Sequence, residues 1–338
     1  METLSVLGAG SWGTSIANLL SDNGHRVQLW CFEKNTAEEI ALQRENSVYL
    51  PGIKISQNVI PTASIEEACR NSKTIISVVP SQHTRKIMSE AEKYINDGCM
   101  IVSASKGIEK DTYLTMSQVF SEVFHGRNDL NTVTLGGPTF ATEVARKLPT
   151  VMVFASKNES AARYFQNIFS NQYFRAYVND DVIGVELGGA IKNIIAIAAG
   201  IVTGLGCGHN TVAALITRGI AEISRLGISM GAKLLTFAGL AGMGDLILTC
   251  TGDLSRNRQV GLKIAEGKKL QEILGGMKMV AEGVETAISV EGLAKKQNVE
   301  MPICHEVYTV LFNNKDPRVA IRDLMERNLK KEFQEGIM

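Results

Sequence analysis

The sequence lacks any excess of charge of one sign. Its 338 residues contain 35 Lys and Arg and 35 Asp and Glu, so the formal net charge at neutral pH is zero. Non-specific binding to nucleic acid or to acidic membranes depends on a surplus of basic side chains. We therefore expect no nucleic-acid partner, although a local basic pocket is compatible with this balance.

Closely spaced cysteines and histidines are also lacking. The six cysteines are scattered without a CxxC pair, and the five histidines show no ligand spacing. Zinc sites and disulfide frameworks both need a defined spacing of these residues. We expect no metal site and reduced thiols, as in a cytoplasmic protein.

Long hydrophobic runs are missing as well. The longest, residues 194–205, has about 12 residues, whereas a helix that spans a bilayer needs about 20. The first residues enter a predicted strand directly, without the basic segment and apolar stretch of a signal peptide. We expect a cytoplasmic protein that does not insert into membranes.

The hydrophobic fraction of 45% and the chain length predict two domains. In the first half, short β-branched runs alternate with helical patterns; the strands predicted are 4–7, 27–30, 74–79, 100–103, 132–135, 150–154 and 174–178. This alternation indicates a parallel, doubly wound sheet. From about Asp181 the strand pattern fades, and helices are predicted at 190–205, 212–230, 259–266, 284–297 and 305–312. We expect an α/β N-terminal Rossmann-like domain (1–188) and an all-α C-terminal domain (189–338).

The segment after the first predicted strand reads GAGSWG at 8–13 and leads into a predicted helix. This is the G-x-G-x-x-G fingerprint in the strand–turn–helix context of a dinucleotide site. Gly8 permits the tight turn, Gly10 lets a pyrophosphate approach the backbone, and Gly13 lets helix and strand pack closely. We therefore predict NAD or NADP as cofactor.

The choice between NAD and NADP stays open. The second predicted strand ends in WCFEK at 30–34, where a Rossmann domain contacts the adenosine ribose. Glu33 could accept a hydrogen bond from a ribose 2′-hydroxyl, which favours NAD. Lys34 could pair with a 2′-phosphate, which favours NADP, and a solvated charge pair is a third interpretation.

Two polar segments suit the chemistry of a phosphorylated ketone. Lys192 lies in a mostly apolar predicted helix, where desolvation lowers the pKa of an amine and a nearby carboxylate raises it. Such a group can supply the proton that hydride reduction of a ketone requires. Ser255 suits a helix N-cap, and Arg256 beside it could hold a phosphate. A lysine that extends to solvent and a surface cap are the alternatives.

Five further segments accompany the fingerprint: SKGIE at 105–109, GGPTFA at 136–141, ELGGAIKN at 186–193, AGMGDL at 241–246 with LSRNR at 254–258, and AEGVET at 281–286. With them, nearly the whole chain resembles the bacterial NAD(P)-dependent glycerol-3-phosphate dehydrogenase family. The resemblance implies interconversion of dihydroxyacetone phosphate and sn-glycerol 3-phosphate, which supplies glycerol phosphate for phospholipid synthesis. It also implies a small-molecule phosphate substrate, and we expect a homodimer.

The resemblance, together with the fingerprint, assigns roles to individual positions, with Lys192 as the catalytic general acid and base. The substrate-binding residues are Lys106, Gly137, Thr139, Lys192, Asp245, Ser255, Arg256 and Asn257. The cofactor-binding residues are Gly8, Gly10, Ser11, Trp12, Gly13, Lys106, Ala141, Arg256, Val280 and Glu282. Asn193 and Thr249 complete the polar network. Without the resemblance, Lys106 equally fits an ordinary loop lysine, and Asp245 a turn residue that bonds its own backbone.

Three positions depart from the family pattern. Thr139 replaces a common serine but keeps the hydroxyl, and His209 lies at a variable loop position. Phe32 stands where many relatives carry arginine or histidine, which removes a possible partner for a 2′-phosphate. Two other functions stay open: a β-hydroxyacid or sugar-acid dehydrogenase, whose anchor would bind a carboxylate, and a non-catalytic NAD(P)H sensor, which needs no Lys192–Asp245 pair.

Overall fold

A computed structural model describes residues 1–277, 279–329 and 331–332, which form an eight-stranded sheet with flanking helices and a helical domain beside it. The strands are β1 (Thr3–Leu7), β2 (Arg26–Trp30), β3 (Val59–Thr62), β4 (Thr74–Ser77), β5 (Met100–Ser103), β6 (Asn131–Gly136), β7 (Thr150–Ala155) and β8 (Phe174–Asn179). The sequence predicted all of these strands except β3. That strand has four residues and contains Pro61, which argues against a strand but is tolerated at the sheet edge, where β3 pairs only with β2.

The strand order is β3-β2-β1-β4-β5-β6-β7-β8. Strands β1 to β6 are parallel, but β7 runs antiparallel to β6, and β8 is parallel to β7. The Rossmann-like, doubly wound fold is confirmed, and the predicted parallel arrangement fails only at the antiparallel pairing of β6 and β7. The segment between β6 and β7 carries only the short helix Ala141–Ala145, and such a connection suits adjacent antiparallel strands better than a full crossover.

Helices cover both faces of the sheet and pack on two apolar clusters, one on each face. Those of the α/β domain are α1 (Ser11–Asp22), α2 (Lys34–Gln43), α3 (Ile65–Arg70), α4 (Thr84–Ala91), α5 (Met116–Val123), α6 (Ala141–Ala145) and α7 (Glu159–Phe169). Because β1 lies between β2 and β4, the strand order reverses at the end of β1. A crevice at the carboxyl ends of β1 and β4 results, as in other open α/β sheets that bind ligands.

The helical domain is built around one long buried helix. Its helices are α8 (Val182–Gly204), α9 (Gly208–Ser229), α10 (Leu234–Phe237), α11 (Asp245–Thr251), α12 (Arg256–Ala265), α13 (Leu270–Gly275), α14 (Glu282–Gln297), α15 (Pro302–Phe312) and α16 (Pro317–Met325), with a π-helical turn at Leu240–Gly244. Glycines let α8 and α12 touch: a Cβ at Gly261 would lie 2.0 Å from the carbonyl oxygen of Ile197. The predicted domain limit at 188/189 falls inside α8 and stays a prediction.

Two helical stretches have the length and apolarity of membrane-spanning helices, namely Val182–Gly204 and Leu234–Thr251. Neither stretch is an uninterrupted apolar run, which is why the sequence pattern did not indicate them. The first has a mean hydropathy of 1.7 and is 89% buried inside the protein, so the packing of α8 accounts for its apolarity. The second is 44% buried. Two such stretches are weak evidence for a membrane, since the core helix of a soluble protein passes the same test.

Candidate active site

The glycine turn lies in the crevice between β1 and β4. Gly8 has a φ of +114°, and a Cβ there would lie 2.9 Å from the carbonyl oxygen of Val78, just after β4. A Cβ at Gly13 would lie 1.8 Å from the carbonyl oxygen of Gly8, whereas no atom lies within 4 Å of a Cβ at Gly10. Packing therefore requires glycine at positions 8 and 13, and the space over Gly10 can admit a pyrophosphate.

Donors of this turn fit a dinucleotide. No side chain caps the N-terminus of α1, so its first amides face the crevice without a side-chain acceptor. The indole Nε1 of Trp12 is buried and has no hydrogen-bond partner among the described residues. Ser11 Oγ donates to the carbonyl oxygen of Tyr49 and lies 3.1 Å from Sδ of Met279, in the loop before α14. The helical domain thus reaches over the turn.

The remaining predicted cofactor residues lie on neighbouring elements. Ala141 begins α6, and its carbonyl oxygen accepts a hydrogen bond from Ser15 Oγ on α1 at 2.8 Å. Val280 is half-exposed in the loop before α14. Glu282, at the start of α14, accepts hydrogen bonds from the amide of Ser81 at 3.2 Å and from its hydroxyl at 2.6 Å. Burial raises the pKa of Glu282, while these hydrogen bonds oppose the shift.

Ser81 was not found by sequence reasoning. It follows Pro80, four residues beyond the end of β4, and the rule that ligands gather at the carboxyl ends of parallel strands could have identified it. Its two hydrogen bonds to Glu282 join the α/β domain to the helical domain beside the crevice. The relative position of the two domains at the cofactor site therefore depends in part on this pair.

Lys106, Lys192 and Asp245 meet in one cluster between the two domains. Nζ of Lys192 donates to Oδ1 of Asp245 at 2.5 Å and to Oγ1 of Thr249 at 2.7 Å. Nζ of Lys106 donates to Oδ2 of Asp245 at 2.7 Å and to the carbonyl oxygen of Gly137 at 2.9 Å. The side chains of Asp245, Lys192 and Lys106 are 1%, 7% and 17% exposed. Each oxygen of the buried carboxylate therefore binds one ammonium group.

Small residues make this convergence possible. Asp245 begins α11 directly after the π-helical turn, which lies against α8 because a Cβ at Gly188 would stand only 2.4 Å from the carbonyl oxygen of Ala241. Lys192 lies one helical turn further along α8. Lys106 enters from the loop after β5, and its aliphatic stem packs over Gly189. The glycines of ELGGAIKN and AGMGDL thus bring the aspartate to the lysine.

The electrostatics of the cluster suit proton transfer. Burial lowers the pKa of Lys192 to about 8; the carboxylate of Asp245 opposes this shift, and the ammonium group of Lys106 adds to it. An amine with a pKa close to the working pH can both donate and accept a proton. The sequence predicted the opposed effects of burial and a carboxylate but not that one carboxylate serves two lysines.

The start of α12 lies next to Asn193 on α8. The hydroxyl of Ser255 accepts from the amide of Arg258 at 3.2 Å, which confirms Ser255 as the N-cap. Asn257 donates to Oδ1 of Asn193 at 2.9 Å and accepts from the amide of Gly283 at 3.0 Å. The start of α12 is thereby tied to both α8 and α14.

Arg256 differs from these neighbours in having no hydrogen bond to the described residues. Desolvation lowers the pKa of its guanidinium group, and the charge of Glu282 opposes this shift. The residue as a whole is exposed. Its donors are therefore available to an anion near Glu282.

Gly137 and Thr139 lie in the loop after β6. Gly137 has a φ of +122°, and its carbonyl oxygen accepts from Lys106. Oγ1 of Thr139 lies 3.5 Å from the same carbonyl oxygen. Among the described residues, no three His, Cys, Asp or Glu side chains are grouped in a way that could hold a metal ion.

Comparison with known proteins identifies relatives over almost the whole chain. The models for the N-terminus and C-terminus of NAD-dependent glycerol-3-phosphate dehydrogenase match residues 3–162 and 181–322. A relative from Citrifermentans bemidjiense, named glycerol-3-phosphate dehydrogenase (NAD(P)+), is 53% identical and covers 98% of this chain and 99% of its own. A solved glycerol-3-phosphate dehydrogenase from Coxiella burnetii is 36% identical, covers 96% of this chain and 99% of its own, and gives a TM-score of 0.93. The enzyme from Saccharomyces cerevisiae is 27% identical with the same coverage and a TM-score of 0.80.

The fold and the site together define a two-domain dehydrogenase that binds a dinucleotide. Within that class, the chain belongs to the NAD-dependent glycerol-3-phosphate dehydrogenase family. The predictions of the family, of an NAD(P)-dependent enzyme and of the α/β-plus-helical fold are confirmed. The roles of the individual site residues stay predictions.

Proposed function

We propose that this enzyme interconverts dihydroxyacetone phosphate and sn-glycerol 3-phosphate, with Lys192 as the group that exchanges a proton with the substrate oxygen. The observation that supports this role is the buried cluster in which Asp245 binds Lys192 and Lys106 through different oxygens. When bound, NAD(P)H supplies the hydride for the reduction. The test is steady-state oxidation of NADH and NADPH with dihydroxyacetone phosphate; no turnover with either cofactor would contradict the proposal.

The hydrogen bonds of Lys192 leave one donor for the substrate. An ammonium group has three hydrogens, and Asp245 and Thr249 accept two of them. The third can point at the carbonyl oxygen, where negative charge develops during reduction. Lys192 donates its proton there and, in the reverse direction, takes it from the hydroxyl as a neutral amine. Asp245 holds the amine in place and stabilises its charged form.

The other groups of the site position the substrate. Lys106 likewise has one donor beyond those bound by Asp245 and Gly137, and it can bind a substrate oxygen. The loop that contains Gly137 and Thr139 borders the same space. At the opposite end of the substrate, Arg256 can hold the phosphate with its free guanidinium group.

Further donors for the phosphate lie on α12. Asn257 has a second amide hydrogen in addition to the one that it donates to Asn193. Ser255 places the first backbone amides of α12 where an anion would meet the positive end of the helix.

The proposed cofactor contacts come from both domains. The backbone at Gly8, Gly10 and Gly13, with Ser11 and Trp12, would hold the pyrophosphate at the N-terminus of α1. The other residues would line the remaining length of the cofactor; they are Lys106, Ala141, Arg256, Val280 and Glu282. The interdomain hydrogen bonds between Ser81 and Glu282 would keep this second group next to the glycine turn.

The pH dependence should differ in sign between the two directions. Reduction needs protonated Lys192, so kcat/KM for dihydroxyacetone phosphate should fall as pH rises through about 8. Oxidation of glycerol 3-phosphate needs the neutral amine, so its kcat/KM should rise over the same range. Profiles for both directions between pH 6 and 10 measure this, and parallel profiles would contradict the role of Lys192.

Arg256→Ala should raise the KM for dihydroxyacetone phosphate by a factor of about 10–100, because a hydrogen bond to a charged group contributes roughly 1.5–3 kcal/mol. Steady-state kinetics measure the change. Dihydroxyacetone without phosphate is the control substrate, and its kcat/KM should change little in the variant. An unchanged KM for the phosphorylated substrate would show that Arg256 does not bind the phosphate.

Five further features belong to this proposal. The enzyme acts in the cytoplasm, consistent with the unpaired state of all six cysteines, and does not insert into membranes. It forms a homodimer, which sedimentation velocity can test. Its domains comprise residues 1–188 and 189–338. Its product, glycerol phosphate, is the type of compound that phospholipid synthesis consumes.

A further inference from the structure

We propose that this enzyme prefers NADH to NADPH, and that Glu33, held in place by Tyr49, determines this preference. The inference rests on the proposed function, since it concerns the adenosine ribose end of the same cofactor site. It selects one of the three interpretations that the sequence left open for Glu33 and Lys34.

Glu33 lies where the ribose of a dinucleotide is bound. It follows β2, the strand next to β1, and is the N-cap residue of α2. In a sheet of this topology, an acidic residue near the end of this strand binds the ribose hydroxyls of NAD. Its backbone position therefore matches the expected ribose contact.

Tyr49 connects this carboxylate to the glycine turn. Its phenol donates a hydrogen bond to Oε1 of Glu33 at 2.8 Å, and its carbonyl oxygen accepts one from Ser11 Oγ. Burial and the carboxylate both raise the pKa of the Tyr49 phenol, so the phenol stays a neutral donor. The contact leaves Oε2 of Glu33 free to accept from a ribose 2′-hydroxyl, with its position fixed relative to the pyrophosphate turn.

Of the three cations in the segment between β2 and β3, Lys34 and Arg44 have other partners. In residues 31–58, all described, the three are Lys34, Arg44 and Lys54. Lys34 is 81% exposed and lies 3.6 Å from Glu38, one turn along α2. Arg44 donates to the carbonyl oxygens of Ser56 and Val59.

Lys54 lies at the other end of α1 from the glycine turn. It lines a cavity with Asn18, Asp22 and Tyr173, beside the second half of that helix. At position 32, the phenylalanine ring packs edge-on against Trp30 and offers no positive charge. A 2′-phosphate would therefore meet the Glu33 carboxylate, and within residues 31–58 no arginine or lysine is held in place to bind it.

Direct binding measurements test this preference separately from catalysis. The full chain is titrated with NADH and with NADPH at low ionic strength, and the nucleotide fluorescence gives each Kd. We expect the Kd for NADH to be lower by about tenfold or more, because a phosphate carries up to two negative charges and meets a like charge. The Kd for NADPH divided by the Kd for NADH is called the Kd ratio. Since the effect is electrostatic and exposed to solvent, the Kd ratio should fall towards one at high salt.

Two variants test the residues, and a third is the control. Glu33→Gln keeps the size but removes the charge, so NADPH should bind more tightly and the Kd ratio should approach one. Tyr49→Phe should lower the ratio less, by weakening NADH binding, because the carboxylate loses the contact that orients it. Lys34→Gln, which removes the neighbouring exposed charge, should leave the Kd for NADPH and the Kd for NADH nearly unchanged relative to each other. Thermal unfolding of each variant shows whether the fold is retained.

The outcomes are distinguishable. Equal Kd values, or tighter NADPH binding, in the unmodified chain would overturn the preference while the proposed function stands. A preference that survives Glu33→Gln, or NADPH binding that depends on Lys34, would overturn the role of Glu33. Absence of binding by either nucleotide would overturn the proposed function itself.

Discussion

Lys192→Met should lower the kcat for reduction of dihydroxyacetone phosphate by a factor of about 10²–10⁴, the usual contribution of general acid catalysis. Methionine keeps the length of the stem but has no proton to donate. The fold should persist, because Asp245 would still bind Lys106 at 2.7 Å and is not left without a counter-charge. Initial rates measured by NADH absorbance give kcat.

The same variant should retain its affinity for NADH, which fluorescence titration measures. This separates loss of proton transfer from loss of cofactor binding. Lys268→Met is the matched control, since Lys268 pairs with Glu266 at the surface and should not affect the rate. A Lys192→Met enzyme with near-normal kcat would contradict the proposed role of Lys192.

Asp245→Asn should both inactivate and destabilise the enzyme. Removal of one partner from a buried ion pair typically lowers the free energy of unfolding by about 3–5 kcal/mol, because the remaining charge is left uncompensated. Here Lys106 and the protonated fraction of Lys192 would face one neutral amide. Loss of the carboxylate would also lower the pKa of Lys192 further, since Asp245 raises it in the native enzyme. Urea unfolding and initial rates at pH 7 measure the two effects.

A second substitution shows whether the destabilisation arises from the lysines. Adding Lys106→Met to Asp245→Asn removes one of the uncompensated charges, so the double variant should be less destabilised than the sum of the single changes. Asp180→Asn is the control, since that carboxylate is exposed and pairs with the exposed Lys233; it should shift stability by about 0.5 kcal/mol or less. A urea midpoint for Asp245→Asn equal to that of the unmodified enzyme would show that the ion pairs contribute little.

Local patterns predicted much of the fold. The strands and long helices follow from β-branched runs and apolar periodicity, which depend on neighbouring residues. The glycine turn could be identified because Gly8 and Gly13 occupy positions where any side chain collides with the backbone. The predicted direction of β7 and β8 relative to the other strands was wrong, because alternation of strands and helices does not show which way a connection crosses the sheet.

Contacts between distant segments were harder to derive. Sequence resemblance selected Lys106, Lys192 and Asp245, but nothing local in those residues shows that one carboxylate binds both lysines. Ser81 and Tyr49 were not predicted either, because each depends on a partner in another segment. Ser81 binds Glu282, and Tyr49 binds Glu33.

The sequence by itself determined the class of fold, the position of the dinucleotide-binding turn in the chain and the family, because each depends on runs of adjacent residues. The tertiary structure alone decided the sharing of Asp245 between two lysines, the lowered pKa of Lys192 and the fixed position of Glu33. The physical reason is that burial and hydrogen bonds between remote segments exist only after the chain has folded, and these set the charge and orientation of each group.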